Sequence, residues 1–217
     1  MARTRIKICG ITSVSDALLC ADAGADAIGV NLVPSSQRRV TESVAREIVE
    51  AVGRRALVVL VTADLDAAAN ASLRDRLGAG CLQLHGSEAP EVLRPLLPHA
   101  YKAARIGGPD DVEAARAFPG EYLMVDAKVP GALGGTGTAF DWILVAKLAT
   151  ERKLVLAGGL TPDNVAGAVA LVAPDCVDVA SGVEVTGAPR EKDAARVHAF
   201  VAAVRASASG QVKSGEG

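Results

Sequence analysis

A thiol and a carboxylate each end a short apolar run in this sequence, and together they could move protons. Cys9 ends "RIKIC" and Asp126 ends "YLMVD". A cysteine and an aspartate presented at one site form a candidate base and acid pair. The alternative for an isolated cysteine is a small buried hydrophobic residue, so its position in the fold decides between the two interpretations.

Two glycine-bearing turns late in the chain could hold a phosphate group. Gly158 and Gly159 follow the apolar run "KLVLA", and Ser181 and Gly182 follow "CVDVA". Glycine lets the backbone N–H groups of a turn approach an anion closely, although it also serves turns that bind nothing. The recurrence of such a turn after two apolar runs favours phosphate.

Charged side chains elsewhere suggest a carboxylate clamp but give little support for a metal site. Arg38 and Arg39 lie in "SSQRR", where one guanidinium could hold a carboxylate or both could be solvated surface charges. A metal site would need several His, Asp or Glu side chains near Asp126, and only His85 and Asp178 are candidates. We therefore expect no metal ion.

Eight short apolar runs predict the strands that position these residues. Most are near-continuous rather than alternating, as is typical of parallel strands covered on both faces. Helix-length segments lie between them, and four of these carry an apolar stripe with i, i+3, i+4, i+7 spacing, beginning at Val14, Ala45, Val165 and Val197. The predicted strands are 5–9, 26–32, 56–61, 81–84, 101–106, 122–126, 153–157 and 176–180.

This order predicts an α/β fold, a single (β/α)8 TIM barrel over residues 1–206 with about 27 residues per strand and helix. Ser13, Thr41 and Thr161-Pro162 are expected to mark helix starts. A doubly wound open sheet is the alternative, but it would have fewer strands and a GxGxxG turn, which "CGITSVSD" lacks. Residues 207–217 lack apolar periodicity and are expected to form a disordered tail.

A barrel presents the C-terminal ends of its strands on one face, where the active sites of such enzymes lie. Cys9, His85 and Asp126 all fall at predicted strand ends. The two glycine turns then follow strands seven and eight, where barrels commonly bind phosphate. Cys9 is therefore better explained as a displayed thiol than as a core residue.

Composition and charge limit the partners that we expect. The 217 residues are 50% hydrophobic and 3% aromatic, with well-mixed charges that sum to −2, so nucleic acid is not an expected partner. No signal peptide and no apolar run of about 20 residues are present, so we expect no membrane segment. The four cysteines form no CxxC, so we expect no disulfide framework. We expect a soluble, cytoplasmic protein that is either a monomer or a homodimer.

The motifs together resemble a known family over roughly residues 5–204. The chain is similar to the phosphoribosylanthranilate isomerases of tryptophan biosynthesis, and it is the order of the motifs that makes the resemblance specific. They are "KICGIT" (7–12), "GADAIGV", "SQR" (36–38), "QLHG" (83–86), a strand ending in Asp126, "GGTGTAFDW" (134–142), "AGGLTPDNV" (157–165) and "DVASGVE" (178–184).

The resemblance implies a reaction and a role for each site residue. The reaction is the Amadori rearrangement of the aminoaldose N-(5'-phosphoribosyl)anthranilate to the aminoketose 1-(2-carboxyphenylamino)-1-deoxyribulose 5-phosphate, without metal or organic cofactor. By resemblance, Asp126 is the general acid that opens the furanose ring to a Schiff base, Cys9 is the general base that removes the C2' proton, and Arg38 holds the anthranilate carboxylate. The other implied substrate-binding residues, with the phosphate cradle, are Gln83, His85, Gly135, Gly137, Gly158, Gly159, Asp178, Ser181 and Gly182.

A base at Cys9 would need to be a thiolate. An unperturbed thiol is poorly ionised at neutral pH. Oriented N–H groups around a phosphate-binding barrel mouth are electropositive and could favour ionisation. We therefore expect an activated thiol at Cys9.

Three positions differ from the residues that are usual in the family. Asn31 stands in place of an aromatic residue, Arg39 in place of tyrosine, and Thr62 in place of the asparagine of "FVN". All three are expected to surround the aromatic half of the substrate. They leave open a related sugar-phosphate isomerase with an altered substrate, or a phosphate-sugar-binding barrel without turnover, although retention of Cys9 and Asp126 weighs against the second.

Overall fold

The computed structural model describes the backbone of residues 3–126 and 139–210 and the side chains of residues 3–126 and 145–207. Eight parallel strands follow the chain order around a closed barrel, in which the eighth pairs with the first. They are β1 (Arg5–Ile11), β2 (Ala27–Asn31), β3 (Leu57–Thr62), β4 (Cys81–Leu84), β5 (Ala100–Arg105), β6 (Tyr122–Asp126), β7 (Lys153–Ala157) and β8 (Cys176–Val179). The predicted (β/α)8 barrel is confirmed.

Helices follow the strands and cover the outside of the barrel. Ser13 and Thr41 act as N-caps, as predicted, because their hydroxyls accept hydrogen bonds from backbone N–H groups three residues later, at 3.1 Å and 3.3 Å. The helices are α1 (Val14–Asp22), α2 (Glu42–Val52), α3 (Ala67–Leu77), α4 (Pro90–Leu93), α5 (Pro109–Arg116), α6 (Ala139–Glu151), α7 (Val165–Val172) and α8 (Ala194–Gly210).

The predicted start of α7 is wrong, because Thr161 and Pro162 precede the helix, which begins at Val165. The Asn164 side chain accepts a hydrogen bond from the Thr161 backbone N–H at 2.8 Å and donates one to the Gly159 carbonyl at 2.9 Å. These bonds hold residues 161–164 in a turn. Asx side chains of this kind compete with the backbone bonds of a first helical turn.

Alternating residues of β1 serve two different layers. Ile6 and Ile8 are fully buried in the large apolar core between the barrel and its helices. Lys7 and Cys9 have the opposite orientation and point into the barrel, since successive side chains on a strand face opposite sides. The lower barrel interior is filled by a second, smaller cluster that includes Val59, Tyr101 and Met124. The polar side chains of the candidate site therefore lie on the C-terminal side of a packed barrel interior.

A hairpin that the sequence pattern does not predict follows β8. Its strands, β9 (Glu184–Val185) and β10 (Ala188–Lys192), pair antiparallel, and Glu184 and Lys192 are both buried. The hairpin lies next to β1 and brings two charged side chains towards the C-terminal face of the barrel.

The last helix, α8, continues to Gly210, into the segment that we expect to be a tail, and residues 211–217 lie outside the described residues. Among the helices that the structure describes, none combines the length and the apolar character that crossing a membrane would require.

Candidate active site

A cavity of about 1090 Å³ opens at the C-terminal ends of the strands. Most of the predicted site residues line it, although they come from six of the eight strands or the loops that follow them. They are Cys9, Arg38, Gln83, His85, Asp126, Gly158, Gly159, Asp178 and Ser181. Gly182 comes directly after Ser181, whereas Gly135 and Gly137 lie outside the described residues.

Cys9 is half-buried at the mouth of β1, directly opposite Gly29 on β2. Gly29 has no side chain here, and a Cβ atom would lie only 2.6 Å from the Cys9 sulfur. Burial raises the pKa of the Cys9 thiol, and the nearby Lys7 ammonium only partly offsets this effect. Desolvation thus opposes the thiolate that we expect at Cys9, and the nearby positive charges act in its favour.

Asp178 lies on β8 beside β1, in register with Lys7. The Lys7 ammonium donates a hydrogen bond to Asp178 Oδ2 at 2.9 Å, and both side chains are almost fully buried. Burial also raises the pKa of Asp178, against the lowering effect of Lys7. Asp178 lines the cavity, and its buried Oδ1 atom has no hydrogen-bond partner among the described residues.

His85 ends a chain of hydrogen bonds that begins inside the barrel. The buried Tyr101 hydroxyl donates to Gln83 Oε1 at 3.0 Å, and Gln83 Nε2 is 2.8 Å from His85 Nδ1. If Gln83 Nε2 donates, Nδ1 accepts and the proton of the neutral ring lies on Nε2. Burial lowers the pKa of His85, although the Asp126 carboxylate acts in the opposite direction. His85 is thus a neutral hydrogen-bonding group at physiological pH.

Arg38 clamps a carboxylate, but that carboxylate belongs to the protein. Its Nε and one terminal nitrogen each lie 2.6 Å from an oxygen of the buried Glu184, in a bidentate ion pair. Lys192 donates to the same carboxylate at 3.1 Å. The Arg38 stem crosses the backbone at Gly10, where a Cβ atom would overlap the Arg38 side chain. The hydrogen bond to Glu184 raises the pKa of Arg38, so the guanidinium is charged.

The turns after β7 and β8 contact each other closely. Gly158 and Gly159 have positive φ angles of 104° and 61°, which favour glycine. Gly182 packs against the backbone of the neighbouring turn, and a Cβ atom there would overlap the Leu160 carbonyl oxygen. The two turns therefore form one continuous backbone surface beside the cavity.

Of the three unusual positions, only Asn31 lines the cavity, where its side chain accepts a hydrogen bond from the Val33 N–H at 2.8 Å. Thr62 is buried and donates to Asn70 Oδ1 at 2.7 Å. Arg39 is exposed beside a smaller hollow near α2 and α3. The expectation that all three surround the aromatic half of the substrate is wrong, because β3 directs Thr62 outward to α3.

Three charged residues of the site do not stand out in the sequence: Lys7, Glu184 and Lys192. Lys7 could have been found, because it lies two residues before Cys9 on a strand and must share its face. Glu184 and Lys192 depend on the hairpin, which has no clear sequence signal. Within residues 3–126 and 145–207, no three His, Cys, Asp or Glu side chains are grouped to hold a metal ion.

Comparisons with known proteins agree with this geometry. A family model described as N-(5'phosphoribosyl)anthranilate (PRA) isomerase matches residues 6–203. The chain is 46% identical over 208 residues to N-(5'-phosphoribosyl)anthranilate isomerase of Pseudomonas aeruginosa (strain UCBPP-PA14), covering 94% of this chain and 97% of that protein. It is also similar to the crystal structure of phosphoribosyl anthranilate isomerase from Thermotoga maritima, with a TM-score of 0.83, 34% identity and coverage of 94% of this chain and 99% of that one.

A further similar structure is a phosphoribosyl anthranilate isomerase in complex with reduced 1-(o-carboxyphenylamino)-1-deoxyribulose 5-phosphate. The TM-score is 0.81 at 32% identity, and the match covers 94% of this chain and 99% of that one. The family model and the curated relative each cover most of the chain. The chain therefore belongs to the N-(5'-phosphoribosyl)anthranilate isomerase family.

Proposed function

We propose that this protein converts N-(5'-phosphoribosyl)anthranilate to 1-(2-carboxyphenylamino)-1-deoxyribulose 5-phosphate in tryptophan biosynthesis. The observation that carries the proposal is one cavity lined by Cys9, Asp126 and the glycine turns after β7 and β8, in a chain that belongs to this isomerase family. A base, an acid and a candidate phosphate site around one cavity are the groups that this rearrangement needs.

The acid and the base act in sequence on one bound molecule. Asp126 gives a proton to the furanose ring oxygen, and the ring opens to a Schiff base. The C2' proton then becomes acidic because the Schiff base can accept electrons, and the Cys9 thiolate removes it. The resulting enol tautomerises to the ketone. Holding both groups around one cavity removes the entropic cost of bringing them to the substrate.

The phosphate is held by the backbone of the two glycine turns. Gly158, Gly159, Ser181 and Gly182 supply a surface with little side-chain bulk, and Gly182 brings the turn after β8 against the turn after β7. Backbone N–H groups in such turns bind phosphate oxygens without a lysine or arginine. Gly135 and Gly137 are proposed to complete the cradle from the loop after β6.

The anthranilate carboxylate is held by the part of Arg38 that Glu184 does not use. A guanidinium has five N–H donors. The bidentate bond to Glu184 occupies two of its nitrogens, Nε and one Nη. The donors that remain can bind a second carboxylate, and Glu184 fixes the direction in which they point. His85, Gln83 and Asp178 are proposed to bind the sugar hydroxyls or the bridging nitrogen.

The alternative isomerase with a changed aromatic pocket has weaker support, because Arg39 and Thr62 do not line the cavity. The decisive experiment is an assay of the purified protein with phosphoribosylanthranilate generated in situ, followed by the loss of substrate fluorescence. Cys9→Ala and Asp126→Asn are each expected to keep the fold and to reduce kcat by about 10²–10⁴-fold.

Cys20→Ala is the matched control, since Cys20 is fully buried on α1 and lies outside the cavity. It should retain wild-type turnover. If folded wild-type protein shows no turnover, the proposed substrate is wrong. If Cys9→Ala or Asp126→Asn keeps near-normal kcat, the role of that residue is wrong.

A further inference from the structure

Lys7 is a buried cation to which the proposed reaction gives no task. Only 2% of its side chain is exposed, and its ammonium group donates a hydrogen bond to Asp178. Burying an ammonium group is costly even when it is paired. Because Lys7 and Cys9 are two residues apart on β1, both side chains point into the barrel.

Gly29 leaves the space in which these two side chains meet. A Cβ atom on Gly29 would lie 2.6 Å from the Cys9 sulfur and 3.0 Å from Lys7 Nζ. The thiol and the ammonium therefore border the same small space above the β2 backbone. Any residue larger than glycine would force one of them away.

Several charged or titratable groups face Cys9 from the surrounding elements. Those that act on Cys9 itself are Lys7 on β1, Asp178 on β8, Lys192 on β10 and Arg38 after β2, whereas Tyr101 on β5 acts on Lys7 and Asp126 on β6 acts on Asp178. Two of the other cations are already engaged. Arg38 is paired with Glu184, and Lys192 donates to Glu184 and to the carbonyl groups of Cys9 and Ala180.

Lys7 has donors to spare beside the Cys9 sulfur. An ammonium group has three N–H donors. One of them is used in the bond to Asp178, and the ammonium also lies near enough to the Cys9 sulfur to act on it. Lys7 can therefore donate a hydrogen bond to a thiolate on Cys9 without losing its ion pair.

We propose that Lys7 is a positioning residue that holds Cys9 as the thiolate base, by donating a hydrogen bond to its sulfur, while Asp178 holds the Lys7 ammonium in place. The thiol loses its proton to solvent, and the thiolate takes a proton from C2' during the reaction. The ion pair of Lys7 with Asp178 stays intact throughout. This inference rests on the proposed function, in which Cys9 is the base.

The electrostatics of the site agree with this assignment. Burial raises the pKa of Cys9, the Lys7 ammonium lowers it, and the Asp178 carboxylate raises it by less than Lys7 lowers it. Removing Asp178 alone should therefore lower the pKa of Cys9, whereas removing both charges should raise it.

The test is the rate of Cys9 alkylation by iodoacetamide as a function of pH, read for each cysteine by mass spectrometry and without substrate. The variants are Asp178→Asn, which leaves Lys7, and Lys7→Met/Asp178→Asn, which removes both charges. The matched control is Lys102→Met/Glu88→Gln, which removes another buried ion pair of the cavity wall, with a separation of 3.1 Å. Reaction at the fully buried Cys20 reports global opening of the fold.

We expect the alkylation midpoint of Cys9 to be lower in Asp178→Asn than in the wild type. It should be about 1–3 pH units higher in Lys7→Met/Asp178→Asn than in Asp178→Asn. The Lys102 and Glu88 control should leave the midpoint unchanged. Equal midpoints in Asp178→Asn and the double variant overturn the proposal. If the double variant does not fold, Asp178→Asn decides alone, and an unchanged midpoint in that variant overturns the proposal.

This measurement separates the inference from the proposed function. The midpoint is read without substrate, so absence of turnover would count against the proposed reaction while the ionisation of Cys9 would still be tested. A merely structural role for Lys7 would lower stability without shifting the alkylation midpoint.

Discussion

At the scale of the residue, Cys9 shows a conflict between burial and chemistry. A buried thiol resists ionisation, whereas a general base must be ionised to accept a proton. The structure places Lys7 close to Cys9 and leaves the facing position to glycine, so the opposing charge can approach the sulfur. Burial and the Lys7 charge therefore act on the ionisation of Cys9 in opposite directions.

The first prediction concerns the pH dependence of Cys9 reactivity. Because burial raises the pKa of Cys9, the thiolate fraction still increases with pH above neutrality. We expect the rate of Cys9 alkylation by iodoacetamide to rise by about tenfold per pH unit at every pH below that pKa. A plateau already reached at neutral pH would contradict it, and Cys9→Ala should lose this alkylation.

At the scale of the element, Glu184 connects three separate segments at the barrel mouth. It accepts hydrogen bonds from Arg38 after β2 and from Lys192 on β10, and Lys192 also binds the Cys9 carbonyl of β1 at 2.8 Å. Only 5% of the Glu184 side chain is exposed. The hairpin therefore acts as a brace that orients Arg38 towards the cavity.

The second prediction follows from this network. Glu184→Gln leaves Arg38 and Lys192 without their counter-charge, so we expect a loss of about 3–5 kcal/mol in the free energy of unfolding. Glu42→Gln removes an ion pair to Arg76 in which both side chains are about half exposed, and it should cost less than about 1 kcal/mol. Urea unfolding measures the loss in each variant, and equal losses would mean that the Glu184 network adds little to the stability of the fold.

The third prediction concerns the contact between the two glycine turns. In Gly182→Ala the new methyl group overlaps the Leu160 carbonyl, so the turns after β7 and β8 must move apart. We expect the affinity for inorganic phosphate, measured by calorimetry, to fall at least about tenfold. Unchanged affinity would show that these turns do not hold the phosphate.

A glycine in α7 gives the control for this substitution. Gly167 has open space where a Cβ atom would lie and no positive φ angle. Gly167→Ala should therefore keep the affinity for phosphate and raise the free energy of unfolding by about 0.5–1 kcal/mol, because alanine is the better helix former.

At the scale of the whole molecule, closure of the barrel buries thiols as well as hydrocarbon side chains. Burial raises the pKa of Cys20 to about 12, that of Cys176 to about 12 and that of Cys81 to about 11. The folded state thus keeps protons that the unfolded chain releases in alkaline solution. The stability from these thiols is fully present below their ordinary pKa and is lost as the pH rises above it.

The fourth prediction concerns the slope of the free energy of unfolding against pH. The free energy of unfolding should fall above about pH 9, and each buried thiol should contribute up to about 1.4 kcal/mol per pH unit. Cys20→Ala should make this slope shallower by the share of one thiol. Ala17→Gly, on the same buried side of α1, should lower stability without changing the slope. Equal slopes in the wild type and Cys20→Ala would contradict the prediction.

The barrel and most of the residues at its mouth could be predicted from the sequence. Near-continuous apolar runs separated by amphipathic segments predict parallel strands and covering helices, because backbone geometry alone sets those periods. Parallel strands of a barrel share one C-terminal face, so strand ends such as Cys9, His85 and Asp126 could be assigned to one site without knowledge of any contact.

Which of these residues are in contact could be learned only from the folded chain. Lys7 and Asp178 are 171 residues apart, and their ion pair depends on the register between β1 and β8 at the closure of the barrel. The burial that raises the pKa of Cys9, the engagement of Arg38 by Glu184 and the outward orientation of Thr62 likewise depend on packing between distant segments. Local patterns fix which face a side chain takes, but desolvation and ion pairing are set by what the completed fold places opposite it.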